Sequence, residues 1–135
     1  MERNKPKRAS LPPLPTGGQL DILAVLWRLG PSTVREVHEA LGNESGYTGT
    51  LKQMQLMTEK KLVVRSERFR THVYEAGVAK EQTRKQIAAD LLRRAFDGSA
   101  KHLVLGALSA TPASAEDLAE IRLILDTFEK TKKAR

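Results

Sequence analysis

The sequence contains no cysteine. That excludes a disulfide framework, a thiolate metal site and a cysteine nucleophile. Aromatic residues fill only 4% of the 135 positions, against a hydrophobic fraction of 40%, so the core must be mainly aliphatic. No apolar run approaches the ~20 residues that a bilayer-crossing helix needs. The N-terminal stretch MERNKPKRASLPPLP lacks the apolar segment of a secretory signal, and a cytoplasmic location is expected. Glycine-rich phosphate loops and metal-ligand spacings are missing, and His38, His72 and His102 are scattered. An enzyme would need its reactive groups clustered, so neither catalysis nor a cofactor is expected.

Charge is present but unevenly placed. Arg3, Lys5, Lys7 and Arg8 against Glu2 leave a surplus of three at the N-terminus. Lys130, Lys132, Lys133 and Arg135 add four at the other end, which together equals the whole net charge of +7. The middle of the chain is therefore neutral overall. Within it, Lys52, Lys60, Lys61, Arg65, Arg68 and Arg70 outnumber Glu59 and Glu67. A local basic patch on a neutral body suits a nucleic-acid-binding module. A solvated charged face would look the same in composition alone.

Punctuation divides the chain. Residues 1–15, with four prolines and mixed charge, read as a disordered basic arm. Thr16 and Gln19 form a capping-box pair that opens a first helix. Leu20, Leu23, Ala24 and Trp27 lie on one face of it, widened by Ile22, Leu26 and Leu29, with Trp27 as the core anchor. Gly30-Pro31 ends it through a left-handed cap. Thr33 and Glu36 make a second capping box, Val34, Val37 and Leu41 follow at helical spacing, and Gly42-Asn43 stops the helix. His38 on this helix reads as a partly buried structural residue. A third helix is expected over roughly Thr48 to Lys61, with Leu51, Met54 and Met57 turned inward and Leu56 a further candidate. Thr48, Thr50, Lys52, Gln53 and Gln55 supply polar groups along its N-terminal half. LVVRSE and THVYEA are strand-like and meet at Arg68-Phe69-Arg70, with Tyr74 packing the hairpin against the helices and His72 facing solvent.

That order of elements, with a basic hairpin after two linked helices, is a winged helix-turn-helix over residues 16–78. In such modules the N-terminal half of the third helix meets base edges while the wing reaches the phosphate backbone. A glutamine can pair bidentately with adenine, and a threonine offers a hydroxyl or a methyl. The alternative for this helix is an ordinary amphipathic surface helix with its polar residues outside.

From residue 79 the character changes. Lys80 to Phe96 reads as a helix, Asp97-Gly98 interrupts it, and Ser99 caps an apolar helix carrying LVLGAL. Ser114 and Asp117 cap the last helix, where Leu118, Ile121, Leu125 and Phe128 form a heptad-like seam. Three helices without a sheet do not easily bury all these faces alone, so residues 79–130 read as a helical dimerisation domain. The alternative is a bundle folded back on the winged helix. The expected dimer contacts are Leu91, Leu92, Phe96, Leu103, Leu118, Ile121, Leu125 and Phe128, and residues 131–135 form a basic tail. The fold class is therefore mainly α with a small β-hairpin wing.

Taken together, LDILAVLW, GPSTVREVHEAL, YTGTLKQMQLMTEKKLV, HVYEA, FDGSAKHLVLGAL and SAEDLAEIRLIL resemble, in that order, the penicillinase repressor (BlaI/MecI) family of winged-helix transcriptional repressors. The resemblance covers approximately residues 16–128. It implies a homodimer on an inverted-repeat operator in double-stranded DNA, with Thr48, Thr50 and Lys52 on the recognition helix and Arg68 or Arg70 at the wing. The full set expected at DNA is Thr33, Tyr47, Thr48, Thr50, Lys52, Gln53, Arg65, Arg68 and Arg70. It also implies relief of repression by proteolysis, through a membrane-bound sensor protease that detects a β-lactam or another stress.

The chain departs from the family pattern at several positions. Gly49 stands where Thr or Ser is usual, and Lys61 where a helix-ending glycine is usual. Gly106-Ala107 occupies the place of the Asn-Phe bond that is cut in some members, so a cut there is not implied. The cysteine motif of the copper-responsive branch has no counterpart. Outside the family reading, a winged helix that binds a protein partner instead of DNA remains the rival. The basic wing is what discriminates, since a partner-binding version has little use for Arg65, Arg68 and Arg70.

Overall fold

The structure is a computed structural model that describes residues 12–42 and 46–133. The arm before Pro12, the helix-stopping Asn43 and the last two residues of the basic tail lie outside the described residues. The elements run α1 (Gly17–Leu29), α2 (Val34–Ala40), α3 (Tyr47–Glu59), β1 (Val63–Arg68), β2 (Thr71–Ala76), α4 (Lys80–Ala95), α5 (Ala100–Ala110) and α6 (Ala115–Lys133). The fold is mainly helical, with one antiparallel hairpin after three helices, as a winged helix with a helical C-terminal part requires. Two compact units divide it, residues 1–88 and 89–135. The division falls inside α4.

The helices begin where their caps dictate. Thr16 Oγ1 accepts from the Gln19 amide and Gln19 Oε1 from the Thr16 amide, while Thr33 and Glu36 repeat this reciprocal arrangement on α2. Each box satisfies two of the amides that a helix start leaves orphaned. In the second unit Ser99 and Ser114 accept from the amides of His102 and Asp117.

The core of the first unit is aliphatic, as expected from the shortage of aromatics. Ile22, Leu23, Val25 and Leu26 of α1 meet Val34 and Val37 of α2, Met54 and Met57 of α3, and Leu62, Val63 and Tyr74 from the hairpin. Two expectations for α1 are corrected. Its inward face is centred on Leu23 and Leu26 and includes Val25, leaving Ala24 and Leu29 exposed. Trp27 is only half-buried at the edge of the core, its indole N–H donating to Val78 O at 3.0 Å; Tyr74, at 1% exposure, is the buried aromatic. The polar indole edge explains this, because it needs a partner that an aliphatic interior does not offer.

Chain reversals use positive φ at defined points. Gly30 has φ 81 but ψ −163, so the expected left-handed cap is replaced by an abrupt turn into extended chain. That course lets Ser32 exchange both backbone hydrogen bonds with Tyr74, each 2.8 Å. Lys61 has φ 65. Its amide donates to Thr58 O and that of Leu62 to Met57 O, the paired bonds of a Schellman closure. A lysine thus occupies a left-handed position that glycine would hold without strain. Close by, a Cβ at Gly77 would lie 2.9 Å from Lys61 O, so only glycine lets β2 leave the sheet there.

In the described part of the N-terminal arm, Pro12 O accepts from Gln86 Nε2 at 2.8 Å. At the other end α6 continues to Lys133, so most of the expected basic tail is helical. Threonine back-bonding from Thr127 and Thr131 keeps these polar side chains on the helix itself.

Candidate nucleic-acid interface

The third helix divides its residues sharply between two faces. Thr50, Met54 and Met57 are buried, while Thr48, Gly49, Lys52, Gln55 and Leu56 are exposed. Thr48, Lys52 and Gln55 follow one another at helical spacing and form a polar outer stripe. Leu56, expected as a possible inward residue, belongs to the outer face at 40% exposure. The first turn of α3 has Gly46 as its N-cap and no side-chain cap. Among the described residues its leading amides meet no side-chain acceptor at the positive end of the helix dipole.

Thr50 stands on the opposite side from Thr48. It is 4% exposed, and its Oγ1 lies 3.0 Å from His38 Nδ1. Its hydroxyl is thus engaged on the side of the helix that α2 packs over. Gln53 is half-buried and accepts from Gln19 Nε2 at 2.9 Å, which makes it a tie between α1 and α3. Tyr47 is exposed, with the Arg35 guanidinium 5.2 Å from its ring centre and the His38 ring edge-on at 5.8 Å. Stacked cations and edge contacts of this kind hold an aromatic ring in place. Thr33 is half-buried, and its oxygen serves the α2 cap; the hydroxyl proton remains available to donate.

The hairpin sets the wing. Val63 pairs with Ala76, Arg65 with Tyr74, Glu67 with His72, and Arg68 with Thr71. Strand alternation then places Arg65 and Arg68 on opposite faces. Arg68 joins Arg70 at the tip, while Arg65 and Glu67 share the face of Tyr74. Only Phe69 and Arg70 form the turn, both with positive φ, 51 and 67, as a two-residue mirror-type turn demands. Lys52, Lys60, Lys61, Arg65, Arg68 and Arg70 are all exposed. Among the described residues ion pairs form within α4, from Arg84 to Glu81 and from Arg93 and Arg94 to Asp90, and none engages these six cations.

A polar outer stripe on α3 and an exposed basic hairpin without an ion pair among the described residues thus flank one module. Over residues 16–127 the chain matches the model of the penicillinase repressor family. It belongs to the penicillinase repressor family. The match takes in all of α1 to α5 and most of α6, so both units of the chain are family structure. Penicillinase repressors are regulators, not enzymes, and DNA-binding repression of transcription is the coarse function that membership carries. No curated protein matches the chain significantly. Among the described residues no helix is long and apolar enough to cross a membrane, and no cluster of three or more metal-ligating side chains forms.

Arg35 carries no motif of its own, and its position over Tyr47 is set by the fold. Gln55 is visible in the sequence as a polar residue of α3, but its place on the outer stripe beside Thr48 and Lys52 follows from which side the core takes.

In the second unit α5 and α6 contain no buried residue. Leu91, Val104, Leu105, Leu108, Leu123, Ile124, Leu125 and Phe128 are all exposed, Phe128 at 70%. Of the residues expected at a dimer contact, Leu92, Phe96, Leu103, Leu118 and Ile121 are half-buried within the chain, and Leu91, Leu125 and Phe128 are open. The Gly106–Ala107 bond lies in the interior of α5, with Phe96 3.5 Å from where a Cβ on Gly106 would stand.

Proposed function

We propose that the chain represses transcription as a homodimer seated on an inverted-repeat DNA operator. The carrying observation is the outer face of α3, where Thr48, Lys52 and Gln55 are exposed together. Thr48 and Gln55 suit base edges, the latter through the bidentate amide geometry that matches adenine. Lys52, Lys60, Lys61, Arg68 and Arg70 suit phosphates, supplying affinity and salt dependence more than sequence information. Arg35 holds Tyr47 in place and stands ready for the adjoining backbone, with Thr33 as a donor beside it. Thr50 and Gln53 support this surface from behind. Arg65, on the Tyr74 face of the hairpin, adds to the basic field near its root.

Dimerisation rests on the uncovered apolar side chains of α4 to α6. Removing Leu123, Ile124, Leu125 and Phe128 from water contributes at most about 1.5–3 kcal/mol each, since part of each is already covered, and a second copy of the same helices is the natural cover. Two modules fixed in a symmetric pair multiply the discrimination of each, so dimer stability becomes the control point of repression. Relief through a membrane-bound sensor protease would act on that control point. A cut at Gly106–Ala107 would first have to open α5, because proteases bind extended chain.

The test is binding to the DNA upstream of the chain's own gene, in a salt series with unrelated competitor. Saturable, competitor-resistant binding at two protomers per site is expected. Complete loss to competitor points to an operator elsewhere or to unspecific binding. Absence of binding even at low salt sinks the reading and moves the weight to a protein-binding winged helix.

A further inference from the structure

The wing tip contains a residue that folding does not account for. Phe69 is 99% exposed, more than any other large apolar side chain among the described residues. It buries nothing in the protomer, and it sits at φ 51, a region that is costly for a bulky residue and easy for glycine or asparagine. Arg68 and Arg70 flank it directly, and the antiparallel strands that carry it are six residues each. The nearest acid in sequence, Glu67, points to the opposite face from Arg68 by the register of the hairpin. The result is a rigid prong with an aromatic point and a cationic collar.

We propose that Phe69 is an apolar wedge that enters the minor groove of DNA and opens a base step at the flank of the operator half-site. This rests on the DNA-binding reading above and adds to it a specificity-determining residue. Apolar side chains inserted from the minor groove unstack a step and kink the duplex, with basic neighbours holding the strands on either side. The minor groove is about 6 Å wide, which admits a turn tip but not a helix. Narrow A·T-rich grooves attract arginine, and pyrimidine–purine steps unstack most readily. Arg68 and Arg70 therefore clamp phosphates across the groove while Phe69 prefers a flexible step between them. Two cationic tips repel one another, so a second copy of this chain is a poor occupant for Phe69.

The experiment uses the full-length protein and duplexes selected by it from a random-sequence library. Wild type, Phe69→Ala, Phe69→Asn and Arg70→Ala are compared by affinity across a salt series. 2-Aminopurine fluorescence is read at successive positions beside the half-site. With wild type, one flanking step brightens on binding. Phe69→Ala and Phe69→Asn lose that signal and bind roughly ten- to hundredfold more weakly, the scale of one lost base contact, with the salt slope unchanged. Asparagine tolerates the turn conformation, so its loss is not a folding defect. Arg70→Ala lowers the salt slope and keeps the fluorescence signal. Selection of duplexes by wild type, with unchanged affinity and fluorescence in both Phe69 variants, overturns the wedge and leaves DNA binding intact. Weaker binding without any 2-aminopurine signal in wild type also overturns insertion. Failure of wild type to select any duplex overturns both readings. A change in sedimentation of the Phe69 variants with DNA binding retained assigns the tip to protein contact instead.

Discussion

His38 Nδ1 and Thr50 Oγ1 stand 3.0 Å apart, a single hydrogen bond joining the two helices that make the helix-turn-helix. Thr50 is buried and His38 half-buried, so the bond forms where water competes weakly. Tyr47 then packs its ring against the edge of the same histidine. The angle at which α3 is presented is thus tied to a contact on its hidden side.

Thr50→Val keeps the shape of the side chain and removes the hydroxyl. A loss of about 1 kcal/mol is expected, the low end for an unsatisfied partner because His38 keeps some access to water. For a unit of this size that lowers the melting temperature by roughly 4–8 °C. Base preference in a duplex selection should stay as in wild type. An altered preference with an unchanged melt would return Thr50 to the reading face.

Lys61→Gly is expected to stabilise the chain by about 1 kcal/mol, since a left-handed residue with a Cβ costs about 1–2 kcal/mol. Lys61→Ala removes the same charge and keeps the Cβ, so it should gain nothing. Urea unfolding of the two variants separates backbone strain from charge. Equal stability of both would contradict the Schellman closure at this position.

Gly49 lies in the first turns of α3, and a Cβ there would meet nothing within 4 Å. Gly49→Ala should therefore raise stability by about 1 kcal/mol through helix propensity alone. Gly49→Thr adds a hydroxyl and a methyl to the outer face and should narrow base preference beside Thr48. A destabilised Gly49→Ala protein would mean that this face is already covered.

Leu125→Asp places a charge on an exposed position of α6, 54% accessible in the protomer. The fold of the winged helix should survive, as read by circular dichroism, while sedimentation shifts to monomer. Affinity for a two-site duplex should fall far more than affinity for a single half-site. A dimer of undiminished stability would remove this seam from the interface.

The sequence by itself determined the local punctuation of this protein. Thr16, Thr33, Ser99 and Ser114 announce helix starts because a capping oxygen acts over three residues. The misfit of Lys61 at a left-handed closure was visible for the same reason. The alternation of β1 and β2, the shortage of aromatics and the order of elements were enough for the fold class and the family. These signals are short-range, and tertiary packing had no cause to override them.

Only the tertiary structure decided which face each residue took. Thr48 and Thr50 are chemically alike and two positions apart; α2 covers one and leaves the other to solvent. Trp27 was displaced from the core centre by the need of its indole for Val78, and Tyr74 took that place. Gln53 gives its oxygen to Gln19, thirty-four positions away in sequence. Each of these outcomes depends on a partner far away along the chain, and helix or strand periodicity carries no record of who that partner is.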